Sequence, residues 1–528
     1  MKTFLQEILV TYQSITAITL PVILLISIVF YRKFGNKPIL PPGPTRLPII
    51  GNLHLLSSLP HRSLCNLARK YGPVMTVYFG SLLTIVISSP QLAKQVLKSE
   101  DHIFGNRPLF GDVNHNDDRY EKPTKIAFAQ SGPYWKLMRK TLTTELLSPK
   151  RVEFFKFLRA EEALAMIRSI FETAASNVNG GSASAVNIAR EVSIFINNIV
   201  CRMTFGRKCG EDELGGKIYK EALDELLALQ AGFNARDFIP LLNWLSLKSP
   251  TPREAEIAKL FSEFLESMVE EHFEKRKESS GLQYRDFVDI LVSLCEDESA
   301  ELKITRENIK DVVYDILAAG TDTSGNTLEW AMSELLRNPS TMEIAQQELD
   351  SVVGQNRMVE ESDLGRLPYL QSVVKEILRL YPPAPLLIPR ESMEHSTIAG
   401  YRIPHKTRVI VNVWAIGRDP TAWEEADKFK PERFMGSQID VNGQYFELLP
   451  FGSGRRGCPG INLALSVIQL GLAQLLHCFN WYLPRGVTPE TLDLSEFFGI
   501  TMPRAEHLHA IPIPRLPLDL TSQTLICE

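Results

Sequence analysis

The residue with the clearest chemical potential is Cys458, near the end of a glycine- and arginine-rich loop that runs from Phe451 to Gly460. The apolar stretch behind it, residues 461–470, predicts a helix. A cysteine in such a place is either a small buried thiol, as most intracellular cysteines are, or a thiolate that holds a metal centre. The helix start behind it and Arg456 beside it would both favour the ionised sulfur. The loop alone leaves both interpretations open.

The glycines at 452, 454 and 457 also match the G-x-G-x-x-G pattern of a dinucleotide-binding loop. That pattern is weak alone, because the site also needs an acidic residue about 20 positions further on to bind the ribose. No Asp or Glu lies between Glu447 and Glu490, so the nucleotide interpretation is rejected. The sequence has no phosphate-loop lysine and no H-E-x-x-H zinc motif either.

A second chemically suggestive stretch lies within a long helix predicted from about Arg306 to Arg337, with Thr305 as its N-cap. Its middle, residues 318–325, reads Ala-Ala-Gly-Thr-Asp-Thr-Ser-Gly and includes Asp322 and Thr323. Each glycine costs about 1 kcal/mol relative to Ala in a helix interior. The pattern therefore predicts that the helix opens here into a groove that faces a ligand. The alternative is close helix packing through the small residues.

Two further pairs sit on predicted helices. Trp135 and Arg139 are four residues apart and share a helix face. Glu376 and Arg379 are three apart on an amphipathic helix, and Arg433 follows in a Pro-Glu-Arg-Phe loop. By itself each pair is an ordinary helix-surface contact, worth tenths of a kcal/mol.

Composition narrows the class of protein. The 528 residues are 44% hydrophobic and 23% charged, which is globular and long enough for a large core. The net charge of −5 and the lack of a basic stripe argue against a nucleic-acid partner. The seven cysteines are scattered and odd in number, so a disulfide framework or zinc site is not expected. Residues 74–88, interrupted by Gly80-Ser81, predict a β-hairpin, whereas residues 150–300 are mostly helical.

The N-terminus predicts a membrane anchor. The stretch from Ile8 to Tyr31 carries no charge, and about 20 apolar residues span a bilayer. Arg32 and Lys33 follow directly, which keeps that side cytoplasmic and argues against the competing interpretation, a cleaved signal peptide. Residues 38–44 hold four prolines and predict a stiff spacer that orients the body on the membrane; an arbitrary loop is the alternative.

Four features in fixed order strongly resemble the cytochrome P450 family of haem-thiolate monooxygenases. They are the Trp135/Arg139 helix, the 318–325 stretch, the Glu376/Arg379 pair and the cysteine loop. The family pattern F-x-x-G-x-R-x-C-x-G is met by Phe451, Gly454, Arg456, Cys458 and Gly460. Details of the loops resemble the plant microsomal A-type members. The resemblance implies a mainly α fold with small β-sheets, preceded by an N-terminal transmembrane helix. It divides the chain into an anchor (1–33), a proline-rich hinge (34–48) and a haem-thiolate catalytic domain (49–528).

The resemblance also implies roles for single residues. Cys458 would be the axial thiolate of haem (heme b, iron protoporphyrin IX), with loop glycines letting the chain pass close to the porphyrin. Asp322 and Thr323 would be the acid–alcohol pair that delivers protons during oxygen activation. The haem-propionate partners would be Trp135, Arg139, Arg390 and Arg456, and the structural triad would be Glu376, Arg379 and Arg433.

The implied reaction is NADPH- and O2-dependent insertion of one oxygen atom into a hydrophobic small molecule, a plant phenylpropanoid, flavonoid or terpenoid. Electrons would come from a membrane-bound NADPH-cytochrome P450 reductase carrying FAD and FMN. The expected location is the endoplasmic reticulum membrane. Substrate contacts are expected from residues 105–132 (Phe110 and Phe128 among them), Ile316, Ala319, Leu386–Ile388 and the turn at Ile500-Thr501. The alternatives are a non-oxygenating haem-thiolate isomerase or dehydratase, and a haem electron carrier or gas sensor.

Overall fold

The computed structural model describes residues 40–108, 125–180, 184–209, 252–278, 286–297, 299 and 303–517. These residues form a mainly helical body with three small sheets, as the sequence predicted. The predicted anchor at 8–31 lies outside the described residues, as does Phe110. Among the described helices, Ile461–Cys478 alone is long and apolar enough to span a membrane. Because 67% of it is buried inside the protein, it is a core helix.

Helices account for most of the described chain, and prolines begin many of them. The described helices are α1 (Pro60–Tyr71), α2 (Pro90–Lys94), α3 (Pro133–Thr141), α4 (Pro149–Phe154), α5 (Lys156–Gly180), α6 (Ile188–Phe205), α7 (Pro252–Glu278), α8 (Phe287–Cys295), α9 (Arg306–Arg337), α10 (Pro339–Val352), α11 (Pro368–Leu380), α12 (Val413–Ile416) and α13 (Ile461–Cys478). The described strands are β1 (Val74–Phe79), β2 (Leu82–Ile87), β3 (Val186–Asn187), β4 (Arg390–Glu391), β5 (Ser396–Ile398), β6 (Tyr401–Ile403), β7 (Arg408–Val411), β8 (Phe479–Tyr482) and β9 (His509–Pro514).

The predicted hairpin is confirmed as β1 and β2, which pair antiparallel from Val74–Ile87 to Phe79–Leu82. Gly80 turns the chain with a φ of 58°, in the left-handed region that glycine tolerates. The largest sheet has the order β1-β2-β7-β4, with β7 parallel to β2. Strand β4 carries Arg390, so this sheet delivers one of the predicted site residues.

Helix α9 runs through the middle of the fold and packs against α6, α7, α11 and α13. It begins as predicted, with a capping box in which Thr305 and Asn308 bond each other's backbone amides. The prediction that the helix opens at 318–325 is wrong, since the helix is continuous from Arg306 to Arg337. A Cβ on Gly320 would lie 3.3 Å from Val200 of α6, so this glycine serves close helix packing, the alternative the sequence had left open.

The proline segment is bound to the body. The carbonyls of Pro41 and Pro42 accept hydrogen bonds from the Thr76 side chain (2.8 Å) and amide (2.9 Å) on β1. A Cβ on Gly43 would lie 1.9 Å from the Thr76 carbonyl oxygen, which makes glycine necessary there. The part of the spacer from Pro41 onward is therefore attached along the sheet.

Candidate functional site

The cysteine loop is closed by its own backbone. The Cys458 amide donates to the Phe451 carbonyl over 2.9 Å, and the Gly457 amide donates to the Gly454 carbonyl over 3.0 Å. Gly454 has a φ of +70°, and a Cβ there would lie 1.9 Å from the Leu97 carbonyl oxygen. This glycine is therefore needed for a contact with protein backbone. This contact is a separate reason for Gly454, beside the expected passage of the loop by a porphyrin.

The Cys458 side chain is exposed although protein surrounds it, so its sulfur faces an internal cleft. Burial raises the pKa of the thiol, while a hydrogen bond from the Gly460 amide and the charge of Arg139 lower it. Arg139, on helix α3, thus supplies the positive charge that the sequence interpretation had assigned to Arg456. Both the amide and the arginine favour a negatively charged sulfur.

Three arginines meet beside this loop: Arg390, Arg456 and Arg107. Arg390 and Arg107 are each 4% exposed. Burial lowers the pKa of Arg390 to about 10, and the charge of Asp101 raises it. Burial and the charge of Arg390 lower the pKa of Arg456 to about 9, and the pKa of Arg107 is lowered by burial and by the charges of Arg390 and Arg456. Among the described residues none of the three forms an ion pair with a carboxylate, and Nη1 of Arg390 has no hydrogen-bond partner. Buried charges need partners, so the cluster calls for an anionic group.

The guanidinium groups are positioned by backbone carbonyls. Arg456 donates to Gly105 (2.8 Å) and Ala129 (2.7 Å), and it lies over the Trp135 ring at 4.1 Å. Arg390 donates to the carbonyl of Ser453 over 3.0 Å. Trp135, Arg390 and Arg456, predicted as cofactor-binding residues, are thereby gathered around the cysteine loop.

Sequence reasoning missed Arg107. Its Nη1 donates to the carbonyls of Ile388 (2.6 Å) and Pro389 (2.9 Å), and its Nε donates to Ala127 over 2.9 Å. It thereby joins three separate segments around the charge cluster. No local pattern marks it, because it lies in a stretch read only as irregular and its partners are remote in sequence.

The donor set fits a haem. The arginines supply unneutralised positive charge for two propionates, and planar guanidinium groups suit carboxylates. The thiol of Cys458 faces the cleft as an axial ligand must. Ala319 is exposed in the middle of helix α9, whereas Leu317, two positions earlier, is fully buried. A flat apolar group with an anionic edge would satisfy all three features.

The predicted acid and alcohol are adjacent on α9 but bond to different partners. Thr323 donates its hydroxyl proton to the Ala319 carbonyl over 2.8 Å. Asp322 accepts a short hydrogen bond from the hydroxyl of Thr501. Burial raises the pKa of Asp322, and its bonds with Thr501 and Asn326 lower it. Asp322 therefore has a greater tendency to carry a proton than an exposed carboxyl.

The predicted triad is assembled and buried. Glu376, 0% exposed, receives two bonds from Arg379 at 2.7 Å and one from Arg433 at 3.1 Å. The Lys430 amide donates to the same carboxylate over 2.8 Å. Arg379 also donates to the carbonyls of Ala426 (2.6 Å) and Lys428 (3.0 Å), which ties α11 to the loop before the cysteine.

A carboxyl that sequence reasoning also missed, Asp315, lies on α9 next to residues 125–129. The amides of Ala127 (3.4 Å) and Ile126 donate to it, and Lys125 lies 3.4 Å from the centre of the Tyr314 ring. Burial raises the pKa of Asp315 to about 7. Burial also lowers the pKa of Lys125, so both groups are displaced toward their neutral forms.

This chain is similar to known proteins of one family. The cytochrome P450 family model matches residues 41–510, so the chain belongs to the cytochrome P450 family. Members are monooxygenases that hold haem through a cysteine thiolate, and this chain shares that cofactor. The predicted family and cofactor are thereby confirmed.

The similar proteins include plant members of the family and a solved animal member. Cytochrome P450 71AP13 of Prunus mume is 42% identical over 97% of this chain and 98% of its own length. The 3,9-dihydroxypterocarpan 6A-monooxygenase of Glycine max is 40% identical over 92% of this chain and 95% of its own. A zebrafish cytochrome P450 solved with abiraterone superposes with a TM-score of 0.72 at 27% identity, covering 87% of this chain and all of that one.

The buried triad predicts a large stability effect. Glu376→Gln removes the charge that neutralises Arg379, and breaking a buried pair typically costs about 3–5 kcal/mol. We expect a melting temperature lower by many degrees and loss of bound haem. Glu343→Gln, on the exposed face of α10, is the control and should stay within about 0.5 kcal/mol of wild type. Equal melting temperatures for the two variants would contradict the assignment.

Asp315 predicts a pH-dependent stability difference. The pKa of Asp315 rises from 3.8 to about 7 on folding. Its contribution to the free energy of unfolding is therefore complete below about pH 4 and is lost as the pH rises through 7. Asn cannot titrate, so the melting temperature of Asp315→Asn relative to wild type should rise steadily between pH 5 and about pH 8. Thermal melts across this range test it, with Glu343→Gln as the flat control.

Proposed function

We propose that this protein is a haem-thiolate monooxygenase that inserts one oxygen atom from O2 into a hydrophobic small molecule, a plant secondary metabolite of the phenylpropanoid, flavonoid or terpenoid class. The observation that carries the proposal is that three features occur together in one fold. These are the cleft-facing thiol of Cys458, the arginine cluster without a carboxylate partner among the described residues, and the acid–alcohol pair of α9.

Cys458 would hold the haem iron through its sulfur in this proposal. The bound haem supplies the oxygen-activating redox chemistry, and thiolate ligation favours O–O cleavage. The Gly460 amide donates to the sulfur and, with Arg139, stabilises its negative charge. Phe451 holds the loop closed through its carbonyl, which accepts from the Cys458 amide.

The propionates are held by the arginine cluster. Arg107, Arg390 and Arg456 supply the positive charge, and the free Nη1 of Arg390 is a donor ready for a carboxylate oxygen. Trp135 packs under Arg456 and fixes the plane of its guanidinium. Arg139 completes the set close to the sulfur.

Asp322 and Thr323 move the protons that oxygen activation consumes. The Thr323 hydroxyl uses its proton on the Ala319 carbonyl, so its oxygen lone pairs remain available to hold a water. Asp322, whose pKa is raised by burial, has a greater tendency than an exposed carboxyl to carry a proton and can replenish that water. An isomerase or dehydratase would need no such relay, which favours the oxygenating reaction.

The substrate end of the site is apolar. Ile316 and Leu386 are buried, whereas Ala319 and Ile500 expose apolar surface. Such a lining suits a hydrophobic ligand with few polar anchors. The similarity to a pterocarpan monooxygenase supports a phenolic substrate, and terpenoids fit the same surface.

Electrons come from an NADPH-cytochrome P450 reductase carrying FAD and FMN. Arg455, 54% exposed in the cysteine loop, and exposed Lys98 beside it offer a basic surface for an acidic partner. Residues 1–33 serve as the anchor in the endoplasmic reticulum membrane, 34–48 as the hinge and 49–528 as the cytosolic catalytic domain.

The overall test is microsomal expression of the full chain with a plant reductase, followed by a screen of lipophilic plant metabolites. We expect product only when both NADPH and O2 are present. Product without either reagent would establish the isomerase or dehydratase alternative. Spectral binding of haem with no substrate-dependent NADPH consumption would favour the electron carrier or sensor.

Cys458→Ser tests the axial ligand. We expect the variant to lose the red-shifted Soret band that the reduced carbon-monoxide complex shows under thiolate ligation, because a serine oxygen is a far poorer electron donor. The reduced carbon-monoxide difference spectrum measures it. Cys295→Ser, which changes a half-buried cysteine far along the chain, should keep the band. A band that survives in Cys458→Ser would rule out this ligand.

Thr323→Ala tests the proton relay. The variant should keep its haem spectrum but form less product per NADPH, with hydrogen peroxide released instead, because the water-holding oxygen is gone. General acid–base groups contribute about 100-fold or more, so coupling should fall steeply. Thr323→Ser retains the hydroxyl and serves as the matched control. Full coupling in the alanine variant would refute the relay.

A further inference from the structure

The hydroxyl of Thr501 is engaged with α9. It donates to Asp322 Oδ2, and it accepts from Asn326 Nδ2 at 3.4 Å. The sequence had placed Thr501 among the substrate contacts. The structure bonds the Thr501 hydroxyl to both Asn326 and Asp322, and Asn326 also bonds to Asp322.

The turn that carries Thr501 is fixed along one face of α9. Asp322, Asn326, Glu329 and Trp330 lie at i, i+4, i+7 and i+8, which a helix places on the same side. Trp330 Nε1 donates to the carbonyl next to Thr501, that of Met502, over 3.0 Å. Glu329 accepts from the Leu508 amide over 2.8 Å and lies 3.9 Å from Arg504.

The base of the turn is held from the other side as well. The buried carboxylate of Glu496 accepts from Arg62 Nε over 2.8 Å and lies 3.0 Å from His61 Nε2, both on α1. Within the turn, the Phe497 amide donates to the Pro503 carbonyl over 3.0 Å. Thr501 therefore approaches Asp322 on a rigid support, because both ends of its segment are bound to helices.

Neighbouring side chains of the turn differ in exposure. Ile500 is 39% exposed, while the Thr501 hydroxyl is directed at α9. The Ile500 side chain can contact an apolar ligand, and the Thr501 hydroxyl bonds to Asp322.

We propose that Thr501 is a positioning residue that holds the Asp322 carboxyl for proton delivery. The inference rests on the proposed monooxygenase function. With Oδ2 held by Thr501, the other carboxyl oxygen of Asp322 is the one that gives its proton toward the water at Thr323. Asp322 regains a proton from solvent, so Thr501 is unchanged over a cycle.

The test compares Thr501→Val, which keeps the shape but lacks the hydroxyl, with Thr501→Ser, which keeps the hydroxyl. Both are made in the full-length chain and assayed with the reductase. Product per NADPH should fall about tenfold in the valine variant, as expected when a hydrogen bond to a charged group is lost. The serine variant should restore coupling.

Two readouts separate positioning from a purely structural or substrate-binding role. Without the hydroxyl the ionised form of Asp322 loses a donor, so the basic limb of the coupling profile should move to higher pH in Thr501→Val alone. The substrate dissociation constant, measured by equilibrium dialysis, should change by less than about twofold, since an apolar contact is retained. Should the valine variant lose haem, Thr501→Ala supplies the same comparison.

Asp322→Asn serves as the reference variant. If Asp322→Asn uncouples the reaction while Thr501→Val keeps wild-type coupling and pH profile, the positioning role is overturned and the monooxygenase assignment stands. If neither variant uncouples, the proton relay itself fails. A large loss of substrate affinity in Thr501→Val without a shifted pH profile would make Thr501 a substrate contact and would also overturn the inference.

Discussion

The constraint on which the rest of the structure depends is buried positive charge beside a cysteine. Arg107, Arg390 and Arg456 are gathered where desolvation is costly, and among the described residues no carboxylate pairs with them. Under the proposed function, the propionates of the family's haem would supply the missing anionic edge. Around it, the buried Glu376–Arg379 pair fastens the chain that precedes Cys458. Retention of the cofactor and stability of this side of the fold therefore depend on neighbouring groups of buried charges.

The central helix α9 serves three surfaces at once. Its Gly320 permits close contact with α6, its Thr323 turns a hydroxyl onto the Ala319 carbonyl, and its Asp322 meets the turn at Thr501. Two of these residues, Gly320 and Asp322, are therefore used by different neighbours, and Thr323 bonds within the helix itself. This explains why a stretch with poor helix propensity remains helical, because tertiary contacts outweigh local preference.

Several expectations held because their causes are local. The hairpin at 74–88 follows from β-branched residues around Gly80, and the start of α9 follows from the capping box at Thr305. The opening of α9 was wrongly predicted because propensity cannot show that Val200 packs against Gly320. The contact between Gly454 and Leu97 was not foreseen either, since the two residues lie hundreds of positions apart in the sequence.

The sequence by itself determined the ligand type, the family and the order of the site's parts, because the spacing of the motifs can be read directly from the amino-acid sequence. The tertiary structure alone decided which side chains converge. Arg107 reaches Ile388 across 281 positions, and Thr501 reaches Asp322 across 179. Such contacts leave no periodic signal, because they arise from the packing of separate elements and not from the geometry of any one helix or strand.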